Sequence, residues 1–375
     1  MAADRTRRID GVDLLRGLAI FFVLMNHVNM RLRGAHIPYT QGLPVQFMNS
    51  LVWNGQRGVQ IFFAVSGFLI TSTTLRRWGS LEKVVPSRFY LLRFARIAPL
   101  LLLLLAVLSG LDLAHLKNFV VAPKTGGLGR ALLAALTFHI NVLEAHRGYL
   151  PANWDILWSL SVEEMFYLFF PLLCKLLGPG RLLIALLLVF VALGPVSRTV
   201  WSRGNGVWEE YSYLGGMDAI ALGCLTAITL DRKRLPSRPL AVAGLGILAF
   251  TLCFTPNTPL GLDMTLVGVG TCLTIAAAAQ TLWKCPRVLR PLANLGQRSY
   301  EVYLTHMFVV FAFFEWFLAA GKLMSAVAPM FIAVILVAAL LGEIVARFYS
   351  EPLNARIRDR TGRMMYSARS QLNAT

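Results

Sequence analysis

The chain carries a succession of apolar runs, most close to twenty residues long, separated by short segments in which Lys and Arg gather. A helix of about twenty residues crosses the ~30 Å hydrocarbon core of a bilayer. In that solvent every backbone N–H and C=O must be satisfied within the structure, which leaves helices or a closed barrel. Runs of this length are helices. They fall at 13–30, 58–75, 93–111, 156–177, 181–198, 213–230, 239–255, 263–283, 299–319 and 326–347. With 56% of 375 residues hydrophobic and no long polar block, the expected fold is all-α, a polytopic membrane bundle of about ten helices. Residues 1–352 are expected to form that domain and 353–375 a basic cytosolic tail, with no appended soluble domain expected.

A net charge of +17 raises nucleic acid as a partner, but the distribution of the cations argues for a lipid bilayer instead. They cluster between the runs: Arg5, Arg7 and Arg8 before the first, Arg76 to Arg96, Asp231 to Arg238, and Lys284 to Arg298. This is the pattern of cytosolic loops. One further run, 131–143, contains His139 and Asn141 and is too short to span, which suits a re-entrant or interfacial segment. If it does not cross, both termini are cytosolic and most of the 36 Lys and Arg lie on the cytosolic side. If it crosses, the 231–238 and 284–298 clusters turn outward, against the charge bias. The first run contains Asp13 and Arg16 and lacks a small-residue cleavage site after it, so it reads as a retained helix. The five cysteines show no ligand or disulfide spacing, so no metal site is expected.

Chemistry is expected where polar side chains interrupt apolar runs, because a buried ionisable group costs several kcal/mol unless it has a partner or a cavity. Arg16 and His27 lie eleven positions apart in the first run. On a helix that spacing is three turns plus roughly 20°, with about 16 Å of rise, so both project from one face. Arg93 and Arg96 share a face at the start of the third run and form a fork suited to phosphate or carboxylate. Glu163 and Glu164 are adjacent, about 100° apart on a helix, so only one can face a narrow cavity. Glu164 is the expected inward one, because it shares a polar stripe with Ser161 and Tyr167. Asp218 in Gly215-Gly216-Met217-Asp218 needs a partner, and His306 is a second intramembrane histidine.

These pieces together resemble the acyltransferase 3 family, membrane-embedded O-acyltransferases found mainly in bacteria. The resemblance rests on Ile9-Asp10-Gly11, Leu15-Arg16-Gly17-Leu18-Ala19 with His27, and on Phe62 to Ile70. It continues through Arg93-Phe94-Ala95-Arg96, Trp158 to Tyr167, Ser299 to His306, and Phe348 to Pro352. Two departures concern the acceptor pocket: Gly216 stands where the family often has Arg, and Met307-Phe308 follows His306 where an aromatic and Pro are frequent. The resemblance implies transfer of an acyl group, usually acetyl from acetyl-CoA, to a hydroxyl of a carbohydrate or small molecule, at the bacterial inner membrane. In that reading Arg16, Arg93 and Arg96 hold acyl-CoA. His27 takes the hydroxyl proton or carries the acyl group covalently, and Glu163 or Glu164 supports it. Trp158, Ser161, Tyr167, Asp218 and His306 are the expected acceptor contacts. The alternative is a transporter or flippase with the same charges along a path, but the inverted repeats it calls for are not seen.

Overall fold

The computed structural model describes residues 8–178, 180–254, 261–281 and 283–359. Among them are ten helices long and apolar enough to span a membrane, and no strand. We number them α1 (Asp10–Gly34), α2 (Gly55–Trp78), α3 (Pro86–Leu113), α4 (Leu157–Leu177) and α5 (Arg181–Thr199). After these come α6 (Tyr213–Arg232), α7 (Ser237–Phe254), α8 (Leu262–Thr281), α9 (Ser299–Ala319) and α10 (Val327–Val345). Each agrees with an expected run to within a few residues. The chain is an all-α integral membrane protein.

The 131–143 run does not form a span. It is divided between two short helices, Gly127–Leu136 and Ile140–Arg147, with Phe138 at φ 55° in the break. A bulky residue at positive φ ends the first helix, and His139 Nδ1 meets Thr137 Oγ1 at 2.6 Å across the joint. Ten to fifteen residues in two pieces cannot cross the hydrocarbon core. The 284–298 cluster, expected as a loop, contains the helix Arg290–Gln297, which packs against α1. At the other end no break marks residue 352. The helix runs from α10 through a π-helical turn, Ala346–Ser350, on to Asp359. Arg5, Arg7 and residues 360–375 of the expected tail lie outside the described residues.

α1 sits at the centre: 67% of its apolar window is buried, against 22% for α7 and 28% for α10, which form the periphery. Its neighbours are α2, α8, α9, α10 and the Arg290–Gln297 helix. The α2–α6 contact is among the closest in the bundle. A Cβ on Gly67 would lie 1.9 Å from the Ile220 carbonyl oxygen, and one on Gly223 would lie 2.1 Å from that of Ala64. Two glycines offset along the crossing let the backbones touch, as small residues do where lipid gives no hydrophobic drive for association.

Asp218 fastens four helices at this crossing. Its carboxylate, fully buried, accepts hydrogen bonds from Arg198 Nη2 of α5 (2.8 Å), Thr265 Oγ1 of α8 (2.7 Å) and Gln60 Nε2 of α2 (2.7 Å). The partner is thus Arg198, from another helix. Gly216, the departure noted in sequence, has no room for a side chain: a Cβ there would lie 2.5 Å from the Phe63 ring. Asp218 lines neither of the cavities described below, so its expected role as an acceptor contact is corrected to that of a structural anchor.

Removing one member of a buried ion pair costs about 3–5 kcal/mol, because the other charge is left uncompensated. Asp218→Ala should therefore lower the melting temperature of the detergent-purified protein sharply. The joint change Arg198→Leu with Asp218→Leu should cost less than Asp218→Ala alone. A double variant that melts below both single variants would contradict this account.

Candidate functional site

Two cavities enter the bundle and meet near its middle. The first, about 290 Å³, holds Arg16 of α1, Ser66 of α2, Arg93 and Arg96 of α3, and Glu163 and Tyr167 of α4. The second, about 640 Å³, holds His27 and Arg31 of α1, Asp155 just before α4, Trp158, Glu210 and Tyr211. Only Val59 and Tyr303 line both. Arg16 and His27 do project along one side of α1, as their spacing requires. The helix rise carries them into different cavities, with Tyr303 between.

In the first cavity the carboxylates are spoken for. Arg93 Nη2 reaches Glu164 Oε1 at 2.7 Å and Glu163 Oε1 at 3.4 Å, and its guanidinium lies 3.7 Å over the Tyr167 ring. Glu163 also accepts from the Tyr167 hydroxyl (2.7 Å) and from Ser66. The expected inward residue is corrected here. Glu163 lines the cavity with 24% of its side chain exposed, while Glu164, at 10%, lines neither cavity because Arg93 holds it aside. Arg93 is likewise matched by two carboxylates. Arg16 and Arg96 are not: Arg16 approaches Asp13 only at 3.9 Å, and among the described residues neither donates a hydrogen bond to a carboxylate. A guanidinium that lines a cavity with its donors unengaged is prepared for an anion.

In the second cavity His27 is held by an arrangement without a carboxylate. His306 Nδ1 lies 2.7 Å from the Tyr303 carbonyl oxygen, so that nitrogen carries the proton and Nε2 is an acceptor. His27 Nδ1 lies 3.2 Å from His306 Nε2 and 2.9 Å from the Val23 carbonyl oxygen. Both are acceptors, so His27 Nδ1 is the donor to each. The network assigns the tautomer and leaves the lone pair of His27 on Nε2. Neither Glu163 nor Glu164 bonds to His27, which corrects the expected carboxylate–histidine pair: both are committed to Arg93 on the far side of Tyr303. Tyr303 is itself fixed, its hydroxyl 2.7 Å from Ser159 Oγ and 2.9 Å from the Ile156 carbonyl.

Of the other expected contacts, Trp158 lines the second cavity and stacks on Tyr211, with centroids 4.2 Å apart and planes 5° apart. Tyr167 lies in the first cavity. Ser161 lines neither; its hydroxyl bonds to Leu157 O and receives Ile140 N, joining the short helix to α4. His306 is fully buried behind His27 and positions it. Sequence reasoning missed Tyr303, Asp155 and Glu210. Tyr303 lies one turn before His306 and Asp155 one turn before Trp158, so the i, i+3 neighbours of the chosen residues were the available signal. Glu144, on Ile140–Arg147 behind this cavity, takes the Leu150 N–H at 3.0 Å. Burial first and the charge of Asp155 second hold its carboxyl well above the usual carboxylate range. No group of His, Cys, Asp and Glu suited to a metal occurs among the described residues.

The two glutamates should separate in stability. Glu164→Gln removes the nearer charge from half-buried Arg93 and should depress the melting temperature below that of Glu163→Gln. Equal melting temperatures would mean that Arg93 does not depend on Glu164.

Comparison with known proteins supports what the motifs suggested. The family model described as Acyltransferase domain, acyltransferase 3, matches residues 9–346. The O-acetyltransferase OatA of Staphylococcus aureus is 24% identical over 373 residues, covering 93% of this chain and 58% of its own length. The peptidoglycan O-acetyltransferase OatA of Listeria monocytogenes is 25% identical over 334 residues, covering 80% and 49%. The chain thus spans about half the length of these curated relatives. No solved structure matches it. With a match that begins just before α1 and ends at the π-turn after α10, the chain belongs to the acyltransferase 3 family.

Proposed function

We propose that this protein is an O-acetyltransferase that moves an acetyl group from acetyl-CoA to a hydroxyl of a carbohydrate or small-molecule acceptor. The observation that carries the reading is the pair of cavities meeting at Tyr303, one cationic and the other built around His27. Acetyl-CoA is a polyanion of the cytosol, and Arg16 and Arg96 offer donors to its phosphates. This assigns the first cavity, with both termini, to the cytosolic side of the bacterial inner membrane, in keeping with the basic clusters. The second cavity then faces outward and takes the acceptor. Its stacked Trp158 and Tyr211, with Asp155 and Glu210, suit a sugar: flat apolar walls and acceptors for hydroxyl protons.

At the junction, His27 Nε2 accepts the hydroxyl proton as the alcohol oxygen attacks the thioester carbonyl. A C–O bond forms, the C–S bond breaks, and the proton leaves with the CoA thiolate as thiol. The Val23 carbonyl and His306 hold the imidazole in the one tautomer that presents a lone pair. The same lone pair also suits a covalent acetyl-His27 intermediate. Radiolabelled acetyl trapped on wild-type protein without acceptor, and absent from His27→Ala, would choose that route.

General-base contributions are typically about 10²–10⁴-fold, so His27→Ala should abolish acetyl transfer in proteoliposomes while leaving expression and insertion normal. Arg16→Lys should weaken it too, because an ammonium cannot reproduce a guanidinium fork. Near-parental transfer by folded His27→Ala would end the proposal. Comparing surface glycans of a deletion strain and its parent by mass spectrometry identifies the acceptor.

A further inference from the structure

Beyond the π-turn at Ala346–Ser350 the chain stays helical to Asp359. Three contacts at and around the π-turn seat this end of the helix. Arg298 Nε bonds Glu343 Oε2 at 2.7 Å, its Nη1 bonds Glu351, and the Tyr349 hydroxyl donates to the Pro99 carbonyl at 3.1 Å. So placed, Asn354 and Arg358 line the first cavity. They are four apart and share a helix face. Both lie past residue 346, where the family match ends, and past the Phe348–Pro352 motif.

Asn354 Oδ1 is buried and has no hydrogen-bond partner. A buried carbonyl oxygen without a donor costs about 1–3 kcal/mol; Asn354 belongs to the cavity wall, so a ligand seated there can supply the missing N–H or O–H after a turn of the side chain. Arg358 adds a guanidinium to a cavity whose other walls already present Arg16 and Arg96. Glu163, bound to Arg93, is the carboxylate among the lining residues.

We infer that residues 351–359 form a wall of the donor site, where Arg358 binds a phosphate of the donor and Asn354 accepts a hydrogen bond from one of its amide or amino groups. This rests on the acyl-CoA reading above. CoA supplies both chemistries: a diphosphate for Arg358, and pantetheine amides and an adenine amine for Asn354. The residues act on donor binding and touch neither His27 nor the reacting hydroxyl.

The test uses the full chain purified in detergent, with binding of CoA, pyrophosphate and phosphatidylglycerol each measured by thermal stabilisation. Asn354→Ala should weaken CoA about tenfold and leave pyrophosphate unchanged, while Arg358→Ala should weaken both about tenfold. In acetyl transfer, KM for acetyl-CoA should rise with kcat within about twofold. Asn354→Gln and Arg358→Lys serve if an alanine variant folds poorly; each should still show the loss. Parental CoA affinity in all folded variants overturns the inference and leaves the acyl-CoA reading standing. Wild-type protein that binds pyrophosphate but not CoA overturns the acyl-CoA reading, and loss of that binding in Arg358→Ala would still uphold the phosphate contact. Wild-type protein that binds neither overturns both. A loss confined to phosphatidylglycerol would assign Arg358 to a bilayer headgroup and overturn the inference.

Discussion

Inside a bilayer a charge must be matched or exposed to water, and the structure is organised by which charges are matched. Arg198 answers Asp218, Arg57 answers Asp263 at 3.1 Å, and Arg93 answers Glu163 and Glu164. Each pair ties one helix to another, and each is costly to break because the low dielectric magnifies what is left behind. Once these are closed, the cavity walls keep ionisable groups that no close carboxylate or guanidinium engages among the described residues, Arg16 coming no nearer to Asp13 than 3.9 Å. Arg16 and Arg96 stand on one side of Tyr303, and His27 with Asp155 on the other. The site is what the pairing leaves over.

The support given to His27 differs from that of a serine-hydrolase triad. A carboxylate would both orient the ring and stabilise the imidazolium. Here a backbone carbonyl and a second, neutral imidazole do the orienting, and no negative charge touches the ring. No carboxylate stands against the ring to offset a charge on it. Any compensation must come through the cavity, where Asp155 and Glu210 stand, and therefore varies with what fills it.

Most of the fold was legible, because twenty-residue apolar runs admit few alternatives and the broken 131–143 run betrayed itself by length. The first-helix pair was legible as well: eleven positions on a helix fix a face. What failed was partner choice. Ser161 and Tyr167 made a polar stripe that favoured Glu164, but Ser161 is tied to backbone while Tyr167 lines the first cavity, and Glu164, held by Arg93, lines neither cavity. Arg198 closes the 181–198 run, and nothing in that run shows that it pairs with Asp218, 20 positions further on. Long-range pairing of this kind has no local periodicity to reveal it. The π-turn at Ala346–Ser350 was hidden for a related reason, since it leaves no mark in a run that stays helical.

The wall shared by the two cavities bears on the membrane itself. Val59 and Tyr303 are the lining residues common to both sides, and Tyr303 is pinned by two hydrogen bonds. Two deep polar funnels in one bundle would, if joined, short-circuit the proton gradient on which a cell depends. In the proposed reaction, a partition one side chain thick keeps the two cavities apart while bringing donor and acceptor to opposite faces of one phenol ring. On that reading the protein needs no alternating access and no spent gradient, because only the acetyl group has to change sides.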